Sequence, residues 1–182
     1  MRIISGVHRG RHIIAPKYFK LRPTTDNAKE GLFNILANEI DFDDSSLLDL
    51  FTGIGSITFE FASRGCTDIV SVERDHKHTD FLKEVSKTLK IEGHKILSTD
   101  VRDFLKIAHR SFDVIFADPP YDLPWIQEIP NMIYASQAFH ADTVVIIEHP
   151  GEVSYAEHPC YSHTRNYGKV HFSWFYTSER ES

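Results

Sequence analysis

The stretch SLLDLFTGIGSITFEFASRG, Ser46 to Gly65, opens as an apolar strand, breaks at Gly53 and Gly55, and continues as a helix predicted near Ser56–Arg64. The same alternation of short apolar run and amphipathic segment repeats downstream. DIVSVE, HKILSTD, FDVIFAD and TVVIIEH read as strands, with helices near His76–Leu89, Arg102–Ala108 and Trp125–Phe139. That order is the pattern of a mostly parallel sheet with helices on its faces. The last two runs, near CYSHTR and KVHFSWFY, are separated only by NYG, a hairpin signal, so the sheet is expected to end in an antiparallel pair.

Upstream, Arg2–Ser5 and Arg11–Ala15 alternate around GVHRGR and predict a β-hairpin arm. KLRPTTD then breaks the pattern. Thr25 or Asp26 can cap a helix through NAKEGLFNILANEI, where Leu32, Phe33, Leu36 and Ile40 recur at helical spacing. The expected organisation is a basic arm over residues 1–24 and one α/β domain over 25–182 with this capping helix at its start.

The chain of 182 residues is long enough for one such domain with a sizeable core. No run approaches the roughly 20 apolar residues of a membrane span. The basic, alternating N-terminus lacks the apolar segment of a secretory signal, so a cytoplasmic location without membrane attachment is expected. Cys66 and Cys160 make no disulfide framework and no paired spacing for a metal. The net charge of −6 hides an asymmetry: residues 1–30 hold seven Lys or Arg against Asp26 and Glu30, a balance of +5, which leaves −11 on the rest. A basic arm on an acidic body offers a local nucleic-acid surface, and Arg9, Arg11, Lys17 and Arg22 are its candidates.

Open parallel sheets bind ligands beyond the carboxyl ends of their strands. After the first strand, DLFTGIGS supplies Asp49, Phe51, Thr52, Gly53 and Gly55, a turn whose glycines admit close backbone approach to a ligand or tight strand-to-helix packing. After the second, Glu73 stands where an acid hydrogen-bonds ribose hydroxyls. After the third, Asp100 is placed to accept from an exocyclic amine or to cap a helix, with Val101 beside it to pack on a ring. Arg22 and Thr24, in LRPTT, are candidates to hold a phosphate or a cofactor carboxylate, with helix capping the plainer role for Thr24.

The fourth strand, in FDVIFADPPYDLPW (Phe112–Trp125), ends in Asp118, Pro119, Pro120 and Tyr121. Two prolines cannot continue a ladder, so they leave the sheet as a rigid turn. Such a turn holds the Asp118 carboxylate and the Pro119 carbonyl as acceptors, with Tyr121 as a flat face. An exocyclic base amine is a poor nucleophile because its lone pair is delocalised. Two acceptors on its hydrogens draw the nitrogen toward tetrahedral geometry and free that lone pair. Tyr121 would stack on the extruded base.

IFADPPY resembles the catalytic motif of S-adenosylmethionine-dependent methyltransferases that modify exocyclic amines, and LLDLFTGIG resembles their first, cofactor-binding motif. MRIISGVHRGRHIIAP, LRPTTDNAKEGLFNIL, FTGIGSITFEFASRG and RNYGKVHF together resemble the RsmD family, which methylates guanine N2 in small-subunit ribosomal RNA. The resemblance implies a Rossmann-like class I methyltransferase with a seven-stranded sheet, S-adenosylmethionine as cofactor, and small-subunit (16S) ribosomal RNA or its assembling particle as partner. It implies cofactor contacts from Asp49, Phe51, Thr52, Gly53, Gly55, Glu73, Asp100, Val101 and Asp118, and target contacts from Asp118, Pro119, Pro120 and Tyr121. A monomer is expected, because the terminal hairpin closes the long sheet edge.

Other readings compete. A DNA adenine-N6 methyltransferase uses the same four residues, but the chain offers no obvious segment for reading a major groove. A nicotinamide-dependent dehydrogenase would need a third glycine where Thr58 stands. A non-catalytic RNA-binding module would leave the Asp-Pro-Pro-Tyr turn without a purpose. His76 and His78 resemble a metal pair without a third ligand. Glu148 and His149 are neighbours on a strand and point to opposite faces, so a strand-end role is expected of them.

Overall fold

The computed structural model describes residues 1–19 and 25–177. Seven strands form one sheet: β1 (Ser46–Leu50), β2 (Asp68–Glu73), β3 (His94–Ser98), β4 (Val114–Ala117), β5 (Val144–His149), β6 (Tyr161–Tyr167) and β7 (Val170–Phe175). Their order is β3-β2-β1-β4-β5-β7-β6. β1 to β5 are parallel, whereas β7 pairs antiparallel with both β5 and β6. The order reverses between β1 and β4, and there the carboxyl ends of adjacent strands open a crevice.

The helices follow the apolar spacing. α1 (Asp26–Glu39) starts at Thr25, whose hydroxyl accepts the Ala28 N–H at 3.2 Å, and buries Ala28, Leu32, Phe33 and Leu36. With α2 (Ser56–Ser63) it covers one face, over Phe116, Phe172 and Trp174. α4 (Val101–Ile107) and α5 (Ile129–Tyr134) cover the other, over Leu50, Ile115 and Ile147. α3 (His76–Leu89) joins Ile3, Ile13 and Phe59 in a smaller cluster.

Two elements differ from expectation. The helix predicted over Trp125–Phe139 is a 3-10 turn, Ile126–Glu128, followed by the short α5. Pro130 fits only the first turn of a helix, and the Ser136 hydroxyl takes the Ile133 carbonyl at 2.7 Å, which ends it. The N-terminal hairpin is reduced to one antiparallel bridge, Arg2 with His12. The Ile3 and Gly10 N–H groups still bond within the arm, to the Arg11 and Ile3 carbonyls at 2.9 and 2.8 Å. Other donors go to α2: the N–H groups of Ile4 and Ser5 reach the Glu60 carboxylate at 2.9 and 3.0 Å, and that of Val7 reaches the Ser63 carbonyl at 2.7 Å.

The arm is therefore laid along the domain. Lys29 of α1, counted in the positive balance of residues 1–30, is buried: its Nζ donates to the Arg2 carbonyl at 2.5 Å and lies 3.5 Å from Glu60. Arg2 pairs with Asp26 at 3.1 Å. Arg9, Arg11 and Lys17 are exposed, whereas Arg22 and Thr24 lie outside the described residues.

Candidate active site

Each strand end in the crevice is pinned by a hydrogen bond from its neighbour. Thr52 donates its N–H to the Val72 carbonyl at 3.1 Å and its hydroxyl to the Asp49 carbonyl at 2.7 Å. The Asp118 N–H reaches the Leu50 carbonyl, and the Thr99 N–H the Glu73 carbonyl, both at 3.2 Å. Four loops are thus held at one level around a cavity of about 450 Å3. That volume is within the range for a small-molecule site.

The cavity is lined by Phe51, Thr52, Gly53, Glu73, Asp100, Val101, Asp118, Pro119, Pro120 and Tyr121, all singled out in the sequence. Phe51 is a non-glycine residue with φ of 60°. A bulky side chain in the left-handed region is a strained arrangement of the kind found at ligand sites. Gly53 also has positive φ, and a Cβ there would meet nothing nearer than the Phe51 carbonyl at 3.9 Å, because that side is open cavity.

Asp49 and Gly55, expected at the cofactor, are not on the wall. Asp49 is 2% exposed, and its Oδ2 accepts from the Thr58 N–H at 3.2 Å and the Thr58 hydroxyl at 2.6 Å, which anchors α2 beneath the turn. Burial pushes the Asp49 carboxyl up to about 7, against the Thr58 hydrogen bonds and with Glu73 adding repulsion. Gly55 faces the core, where a Cβ would lie 2.6 Å from Phe59 and 2.7 Å from Leu82. Of the two glycines, one serves the cavity and the other serves packing.

Glu73 closes a second link. Its Oε2 accepts the Gly53 N–H at 2.9 Å and its Oε1 the Asp75 N–H at 2.8 Å. Asp100 caps α4 and accepts from Arg102, whose side-chain hydrogen bonds hold its carboxyl below the ordinary range. Asp100 thus caps α4 while lining the cavity, and the cap need not exclude a contact with a ligand.

Several wall residues were not singled out as ligand contacts: Trp125, Leu123, Arg74 and His78. His78, weighed above only as a metal ligand, stands with its Nδ1 at 3.9 Å from Glu73 Oε2. Among the described residues there is no group of three His, Cys, Asp or Glu able to hold a metal ion. Trp125 is signalled by an aromatic four residues beyond Tyr121. Glu148, read as a strand end, is buried, and its Oε1 accepts from the Tyr121 hydroxyl at 3.4 Å. His149 turns the other way, to the Ser173 hydroxyl at 2.7 Å.

A seven-stranded sheet of this order, with a glycine turn after β1, an acid after β2 and a proline-stiffened acceptor turn after β4, defines a class I methyltransferase. A protein-family model described as Conserved hypothetical protein 95 matches residues 1–176. Ribosomal RNA small subunit methyltransferase D of Haemophilus influenzae is 33% identical over 152 residues, which is 81% of this chain and 78% of that protein. The chain belongs to this family, that of ribosomal RNA small subunit methyltransferase D.

Solved structures agree on the fold. That of yhhF from Escherichia coli has a TM-score of 0.83 at 27% identity, covering 96% of each chain. The Thermus thermophilus 16S rRNA N2 methyltransferase RsmC, in complex with AdoMet and guanosine, has a TM-score of 0.68 at 19% identity, covering 88% of this chain and 44% of that one.

Proposed function

We propose that this chain transfers a methyl group from S-adenosylmethionine to the exocyclic N2 amine of a guanine in small-subunit ribosomal RNA. The observation that carries the reading is one cavity bordered by both halves of the chemistry. Gly53, Glu73 and Asp100 stand on the same wall as Asp118, Pro119, Pro120 and Tyr121. Family membership and the guanosine bound to the RsmC relative support the RNA amine over a DNA adenine.

The donor set suits the cofactor. Glu73, Asp75, Asp100 and Asp118 give the wall an acidic character that favours a sulfonium cation carrying ribose hydroxyls and an amine. Gly53 keeps one side free of a side chain, Glu73 is assigned the hydroxyls, and Asp100 the amine. When bound, S-adenosylmethionine supplies an electrophilic methyl group.

The chain's own residues prepare the acceptor nitrogen. The Asp118 carboxylate and the Pro119 carbonyl accept the two amine hydrogens and localise the nitrogen lone pair, so no strong base is required beforehand. Tyr121 stacks on the base, a contact worth about 1–3 kcal/mol in other base–aromatic pairs. Its hydroxyl is held toward β5 by Glu148. Arg9, Arg11 and Lys17 are assigned the RNA backbone, which supplies affinity without sequence information.

The division into an arm over 1–24 and a domain over 25–182, monomeric action and a cytoplasmic location complete the proposal. No described helix is long and apolar enough to cross a membrane. Incubation with labelled S-adenosylmethionine and undermodified small subunits should label a single guanine, mapped by mass spectrometry of digested RNA. Label confined to duplex DNA adenine would reject the proposal.

A further inference from the structure

Arg102 holds the Asp100 carboxylate in three ways. Oδ1 accepts the Arg102 backbone N–H at 2.9 Å and its Nε at 3.0 Å, and Oδ2 accepts Nη2 at 3.2 Å. An ionised carboxylate offers about four lone-pair sites, so one acceptor site is left, on Oδ2. The guanidinium carbon also lies 4.9 Å from the Trp125 ring centre. Trp125 lines the cavity with Asp100 and stands 5.9 Å from Phe51. One side chain thus ties the end of β3 to the loop that follows Tyr121.

A planar fork neutralises the charge of a carboxylate, as a lysine ammonium would, and also fixes its plane, which a lysine ammonium cannot do. We propose that Arg102 is a positioning residue that makes Asp100 a single-acceptor reader of a 6-aminopurine, with Trp125 held as the adjoining wall. The inference rests on the cavity being the S-adenosylmethionine site. A lone carboxylate acceptor takes one N–H from a 6-amino group and repels a 6-oxo group, so the device selects adenine over hypoxanthine. Asp100 stays ionised throughout, because the fork lowers its proton affinity.

The test is calorimetric titration of the full chain with S-adenosylhomocysteine and with S-inosylhomocysteine, which carries a 6-oxo group. The wild type should prefer the first. In Arg102→Ala that preference should shrink roughly tenfold, through weaker S-adenosylhomocysteine binding, with the inosine compound little changed. Arg102→Lys, which keeps the charge and loses the fork, should resemble Arg102→Ala. The cap of α4 uses the backbone N–H of Arg102 and survives both substitutions, as circular dichroism should show. An unchanged preference, or an equal loss of both affinities, would overturn the role given to Arg102. A wild-type chain that binds neither compound would overturn the reading of the cavity itself.

Discussion

Glu73 Oε2 accepts the Gly53 N–H at 2.9 Å, so the acid at the end of β2 holds the glycine turn at the end of β1. Its other oxygen fixes Asp75, the residue that caps α3. One carboxylate therefore sets the spacing of two loops on the cavity wall, in addition to any ligand it meets.

Replacing it should cost both structure and binding. Glu73→Gln leaves one acceptor where two are used and turns an amide NH2 toward an N–H donor. Stability should fall by about 1–3 kcal/mol in urea unfolding. S-adenosylhomocysteine affinity should fall roughly tenfold or more by calorimetry. Unchanged affinity would mean that the turn keeps its place without this acid.

Asp118→Ala separates chemistry from folding. Its backbone N–H to Leu50 survives the substitution, so the strand end stays in place. Methyl transfer should drop by about 10²–10³. S-adenosylhomocysteine affinity should change far less, and the unfolding midpoint little. Retained turnover would remove Asp118 from the reaction.

The two glycines should respond differently to alanine. At Gly55, with φ of 79°, a Cβ would press on Phe59 and Leu82 at 2.6 and 2.7 Å, so Gly55→Ala should lose stability by about 1–3 kcal/mol. At Gly53 the added methyl enters open cavity, so Gly53→Ala should weaken S-adenosylhomocysteine binding more than it lowers the unfolding midpoint.

A buried polar chain predicts opposing pH effects. Asp49 contacts Thr58, Thr58 contacts Ser71 at 2.7 Å, and Ser71 contacts His94 at 2.8 Å. Burial raises Asp49 from 3.8 to about 7, so the folded state binds its proton more tightly; that stabilisation is complete below pH 3.8 and is lost as pH rises through 7. Burial lowers His94 from 6.5 to about 4, so the unfolded state binds its proton more tightly, and stability is gained as pH rises between those values. Relative to wild type, Asp49→Asn should gain stability from acid to neutral pH, by up to roughly 4 kcal/mol. His94→Gln should lose stability across the same range. Parallel curves for all three proteins in urea unfolding would contradict the assignment.

On the arm, Arg9→Ala with Arg11→Ala should weaken RNA binding and reduce the salt slope by about 1 for each phosphate contact removed. Cofactor affinity should hold, because neither residue lines the cavity. An equal loss of RNA and cofactor binding would mark the arm as structural.

Sequence by itself determined the strands, the helices α1 to α4 and the four loops that meet at the cavity, because periodicity, glycine turns and proline stops act over a few neighbouring residues. It also marked Asp118, Pro119, Pro120 and Tyr121 as a unit, since two prolines constrain their own surroundings. Tertiary structure alone decided which residues of those loops face the cavity. Asp49 and Gly55 turn into the core because α2 packs there, and Trp125 stands on the wall with its ring centre 4.9 Å from the guanidinium carbon of Arg102, 23 residues earlier. Lys29, one of the seven cations of residues 1–30, is buried in a pairing with Glu60, and Glu148 met Tyr121 across two strands. Such contacts join residues distant in the chain, and local spacing carries no record of them.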